Sequence, residues 1–79
     1  MHLTLLNISL ILEKKMIDVY ITTGFDDKVV ATIPNYELKE WLEDRERLCK
    51  AMGFETKLAP RMLHVVDNDV VHSVYFTRN

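Results

Sequence analysis

The side chains best equipped for chemistry lie toward the C-terminus, where His64, Asp69 and His72 fall close together in the chain. Imidazoles with a carboxylate are a metal-ligand set. Their spacing has to be read through the turn that separates them. Asp67-Asn68-Asp69 interrupts two runs rich in β-branched residues, and Asn and Asp tolerate the positive φ angles of a two-residue type I′ turn at Asn68-Asp69. Such a hairpin pairs Val66 with Val71 and Val65 with His72. It turns His64 and His72 to opposite faces, so no metal site is expected, and His72 is read as a partly buried strand residue with one hydrogen bond.

The remaining candidates read in the same way. Asp26 with Asp27, and Asp67 with Asp69, are paired carboxylates of the kind that does acid–base work or holds a hard cation. Asp is also favoured in turns, and both pairs stand where turns are expected. Cys49 falls on the apolar side of a helix near its C-terminal end, where the helix dipole opposes a thiolate, so it is read as a buried structural thiol. Gly24 and Gly53 are the only glycines, too few for a phosphate loop. Lys57, Arg61 and Arg78, with Tyr75, could form a modest phosphate-binding surface, but scattered solubilising charge is the plainer reading. The mixed charges of Glu37, Lys39, Glu40, Asp44 and Arg45 are read as a solvated helix face. No catalytic residue, metal or cofactor is expected.

The elements that hold these residues follow from periodicity. Ile17, Val19 and Ile21 alternate with Asp18, Tyr20 and Thr22, and Val29, Ala31 and Ile33 alternate with Val30 and Thr32. These are half-buried strands. Pairing Ile17 with Ile33 and Ile21 with Val29 requires a loop of three or five residues, with Gly24 or Asp26 at positive φ. Pro34 ends the second strand, Asn35 suits an N-cap, and Gly53 suits a helix stop. Between them Leu38, Trp41, Leu42, Leu48, Cys49 and Met52 recur at helical spacing. Leu38, Trp41, Leu42, Leu48 and Met52 are the expected helix contribution to the core, with Trp41 central. Glu43 with Arg47 and Glu46 with Lys50 are favourable i,i+4 pairs. Phe54 to Leu58 reads as a short strand interrupted by Pro60. In the last two strands, Leu63, Val65, Val70, Val74 and Phe76 are expected on the helix-covered face. The order ββαββ predicts an α+β fold, a four-stranded mainly antiparallel sheet covered on one face by one helix.

Residues 1–15 stand apart. Their apolar residues, Leu3 to Leu12, match neither a helix stripe nor a strand alternation. Leu12-Glu13-Lys14-Lys15 before Met16 can be encoded by a purine-rich stretch that resembles a ribosome-binding site. One expectation is therefore a translated leader with Met16 as the natural start; the other is a real strand or helix covering the sheet. The segment is too short to span a bilayer and lacks a signal-peptide pattern. Residues 16–79 are expected to form a single domain.

At 79 residues the core is thin, and a net charge of −2 leaves no dominant basic patch. The 48% hydrophobic content excludes a disordered tail. One cysteine permits no internal disulfide and fits a reducing cytoplasm. A one-helix cover leaves an open sheet face, on which Tyr20, Thr22, Val30, Thr32, Val71 and Tyr75 are expected. Tyr among β-branched residues is interface material. The leading expectation is a non-enzymatic, cytoplasmic protein-interaction module, such as a small bacterial or phage inhibitor protein. It would bind a partner protein through that face or a sheet edge and form a homodimer. A nucleic-acid-binding module using the sheet face is the alternative, although strong nucleic-acid binding is not expected; a small enzyme comes third.

Overall fold

Alternation of buried Ile17 and Val19 with wetter neighbours makes β1 (Met16–Thr22) a strand with one dry face. It begins a chain that the computed structural model describes over residues 15–78. Both expectations for the N-terminal segment, residues 1–15, lie outside that range except at Lys15. β1 is followed by β2 (Asp27–Pro34), a 3₁₀ turn (Asn35–Glu37), α1 (Leu38–Ala51), β3 (Glu55–Ala59), β4 (Met62–Asp67) and β5 (Val70–Phe76). The fold is α+β, with one α-helix on an antiparallel sheet. The sheet has five strands, in the order β2-β1-β5-β4-β3, rather than the four expected. The added strand is β3. It matches the short strand read over Phe54 to Leu58, and it ends at Ala59 as Pro60 enters the turn to β4, where no ladder N–H is needed and a fixed φ suits the bend.

The β1–β2 and β4–β5 hairpins each contain one irregularity that alternation alone could not reveal. In the first, Ile17 opposes Ile33 and Val19 opposes Ala31, but Tyr20 then opposes Val29, leaving Val30 as a bulge. Ile21 therefore meets Lys28 rather than Val29. With Thr22 opposite Asp27, the loop is the four residues Thr23, Gly24, Phe25 and Asp26, with Gly24 at φ 101. The bulge supplies the parity that an odd loop would have given. In the second hairpin Asn68 and Asp69 adopt φ 50 and 67, as a type I′ turn requires, and Val66 meets Val71. Val65 then meets Ser73, which leaves His72 as the extra residue and reverses the facing of the rest of β5.

The core follows from these registers. Ile17, Val19, Leu63, Val65 and Tyr75 from the sheet meet Leu38, Leu42 and Cys49 from α1. The stripe that faces the sheet is Leu38, Leu42 and Cys49. Leu48 lies about 100° round the helix from that line, and Met52 is the C-cap residue beyond the last turn; they are 48% and 61% exposed, so they are not core residues as expected. Trp41 is half-buried at the cluster's margin, edge-on to Tyr75 at 5.7 Å, with the Arg45 guanidinium 4.9 Å from its ring centroid. Leu42, with no exposed surface, holds the centre.

The helix ends differ from the expectation at one terminus. Asn35 does not cap α1: its side chain accepts a hydrogen bond from Arg61, and the 3₁₀ turn leads into the helix without a side-chain cap. At the other end Gly53 at φ 94 bonds back to Lys50, and Phe54 to Cys49, a Schellman stop. On the surface Lys50 pairs with Glu46 as expected, while Arg47 takes Asp44 instead of Glu43.

Candidate functional site

The two bulges decide which side chains share the face that α1 leaves open. Directly opposed residues run across all five strands as one row, Val29, Tyr20, Phe76, Met62 and Ala59. The neighbouring row, with the same facing, is Asp27, Thr22, Val74, His64 and Lys57. The first row is apolar along its whole length, and Val29 and Met62 are 51% and 38% exposed. Tyr20 and Phe76 stack at 5.6 Å between centroids, 23° from parallel. The Arg78 guanidinium lies 4.3 Å from the Tyr20 ring centroid and is anchored by Asp27 at 2.6 Å. That bond holds the Asp27 carboxyl below its ordinary pKa, with a further contribution from Thr22, and raises Arg78 in turn. On the same face Thr32 donates to Asp18 at 2.8 Å.

Of the residues expected on this face, Tyr20, Thr22 and Thr32 stand there. Val71, 53% exposed, stands there too, opposite Val66 and in line with Glu55, while Val30 is the bulge residue, exposed but out of the alternation. Tyr75 is on the other side: it is 9% exposed and packs in the core against Trp41, because the His72 bulge inverts the strand beyond it. The same inversion brings Val74 and Phe76 to the open face instead of under the helix, and Val70 is 68% exposed. Sequence reasoning therefore missed Val29, Met62, Val74 and Phe76. The cues were Val29-Val30 and Val70-Val71, adjacent apolar residues that no strict alternation accommodates.

The other candidates are not brought together. His64 faces Lys57 and Val74 on the open side. His72 is exposed, with its ring 5.0 Å from Phe54 and its Nδ1 3.3 Å from the Ser73 hydroxyl. Among the described residues no group of three His, Cys, Asp or Glu could hold a metal ion. Cys49 is buried, and desolvation raises its thiol pKa despite an opposing influence from Arg45, so it is protonated at neutral pH. The proposed phosphate surface is not assembled: Arg78 is bound to Asp27, Arg61 reaches Asn35, Lys57 is on the far edge strand, and Tyr75 is buried. Phe25, 94% exposed at the tip of the first hairpin, is an isolated apolar feature. No described helix is long and apolar enough to cross a membrane. No family model matches the chain, and neither a curated protein nor a solved structure matches it.

Proposed function

We propose that this chain is a non-enzymatic protein-interaction module that docks a partner protein on the open face of its sheet. The observation that supports this reading is the unbroken apolar row from Val29 through Tyr20, Phe76 and Met62 to Ala59. A row of side chains directly opposed on five strands is preformed, so a partner orders little on binding. Stacked aromatics with an adjacent Arg are the composition of interface hot spots. The buried, protonated Cys49 and the dispersal of the His and Asp candidates favour binding over catalysis. An inhibitor that caps its target is one form such a module takes.

Nucleic-acid binding by the same face is the weaker reading. Arg78 already covers the Tyr20 ring and is neutralised by Asp27, so neither the stacking surface nor the cation is free for a base or phosphate.

The test is affinity capture from the native host with the full chain, followed by comparison of three variants. Tyr20→Ala should remain folded by circular dichroism and lose the captured protein. Glu40→Ala, on the exposed helix surface, should retain it. Tyr75→Ala should lose it by unfolding, since that ring is in the core. Retention of the same partner by a folded Tyr20→Ala would remove the open face from the reading.

A further inference from the structure

The two edges of the sheet are not equivalent. β2 carries the Val30 bulge, ends at Pro34, which has no N–H, and is flanked by the Asp27–Arg78 pair. These are devices that discourage another strand. β3 has no bulge and no such ion pair, and Pro60 lies beyond its last residue rather than within it. It runs in unbroken register with β4 from Glu55 to Ala59 and forms the opposite end of the described sheet. Its alternate N–H and C=O groups face outward, as on any edge strand. Its helix side is only half roofed: Leu58 is 41% exposed, and a cavity of about 450 Å³ opens between Lys39, Leu42 and Glu43 of α1 and Leu58, Ala59 and Pro60.

We propose that β3 pairs antiparallel with β3 of a second copy of this chain, about a two-fold axis at Thr56, joining the two sheets into one. Parity limits the registers. Outward-facing residues must meet outward-facing residues, and these alternate along the strand, so identical edges pair only about a residue and never between two. Centring on Lys57 sets Lys57 against its twin, and centring on Glu55 sets Glu55 against its twin. Centring on Leu58 brings Pro60 opposite Thr56, where the ladder loses a donor. Centring on Thr56 sets Glu55 opposite Lys57 twice, on the open-face side of both sheets. On the helix side Thr56 meets Thr56, and Phe54 of the second copy comes over the exposed Leu58. Opposite charges and Thr–Thr contacts are favourable cross-strand pairs.

The helices suit the same axis. The Thr56 hydroxyl donates to Glu46 Oε2 at 2.8 Å, so the axis passes beside Glu46 and its twin, and in each copy Lys50 at 3.8 Å offsets that like charge. α1 packs over β3 and β4. With strands about 4.8 Å apart, its axis stands about one strand spacing from the two-fold. The two helices then run antiparallel at about 10 Å, an ordinary packing distance. That arrangement brings Lys50 of one copy within a turn of Glu43 of the other. The pairing leaves the open face free, so it stands independently of the partner-docking reading.

Charge reversal of the full-length chain tests the register, with mass measured by sedimentation at about 100 μM, where a micromolar dimer is assembled. Glu55 and Lys57 are exposed, and circular dichroism confirms that each variant is folded. The wild type should show twice the 9.3 kDa chain mass. Glu55→Lys creates two Lys–Lys pairs and Lys57→Glu two Glu–Glu pairs, so each should weaken self-association about tenfold or more. An equimolar mixture of the two variants should restore the dimer, because every opposed pair is again Glu with Lys; the double variant should restore it as well. A monomeric wild type, single variants that stay dimeric, or a mixture that stays monomeric would overturn the proposal. So would a dimer abolished by Tyr20→Ala and indifferent to the charge variants, which would seat the second copy on the open face.

Discussion

The side chains that matter most are distinguished by what they touch rather than by their type. Asp27 and Arg78 are both exposed, yet their bond ties the C-terminus to the first residue of β2 and fixes Arg78 over Tyr20. Because the folded carboxyl titrates below its ordinary value, the pair's contribution is present above that value and is lost as the pH falls through the lower, folded one. A carboxyl-detected NMR titration should place Asp27 below an unpaired Asp, and Arg78→Ala should return it to the ordinary range. An Asp27 midpoint unchanged by that substitution would mean the bond does not persist in solution. In the core, Leu42 has the greater consequence although Trp41 is the larger residue. Leu42→Ala leaves a void between the helix and the sheet and should cost about 2–5 kcal/mol, comparable with the whole stability of so short a chain. Trp41→Ala removes an edge-on ring contact and a cation–π stack at the margin, so about 1–3 kcal/mol is expected. Urea denaturation would rank them, and a larger loss for Trp41→Ala would reverse the assignment of the helix's central residue.

At the level of elements, the sequence was legible wherever a local rule acts alone. Alternation at Ile17, Val19 and Ile21 located β1, Asn68-Asp69 gave the type I′ turn, and Gly53 gave the helix stop. The errors of facing within the sheet have one physical origin. A period of two carries no memory of an inserted residue, so the single extra residues Val30 and His72 exchange the faces of everything beyond them. That is why Val30 and Tyr75 were misassigned to the open face while the strands themselves were found, and why Tyr75 and Phe76 exchanged sides. Gly53 gives a clean measurement of a local rule. A Cβ placed there meets nothing within 4 Å, so only its φ of 94 resists substitution. Gly53→Ala should cost about 1–2 kcal/mol, the penalty for a left-handed L-residue, with the fold unchanged. A thermal melt indistinguishable from the wild type would show that the helix ends elsewhere in solution.

Across the whole molecule, the placement of charge separates the two classes of partner that an open antiparallel sheet can serve. Oligonucleotide affinity rests on several Lys or Arg on one face, each releasing counterions from the phosphate chain. The open face offers Lys57 on β3 and Arg78 beyond the end of β5, and Arg78 is already bound by Asp27, while Asp18 and Glu55 share that side. With the chain at net charge −2, no long-range attraction compensates. Its apolar row has no such deficit toward a protein surface, since an interface core is depleted in charge. Fluorescence anisotropy with single-stranded DNA and RNA should therefore show weak binding that disappears on raising the salt. Arg78→Ala should change it little, because the guanidinium was not free to meet a phosphate. Submicromolar binding that survives physiological salt and falls with Tyr20→Ala would show that the Tyr20–Phe76 stack opens to receive a base, and the open face would then be a nucleic-acid platform instead of a protein-docking one.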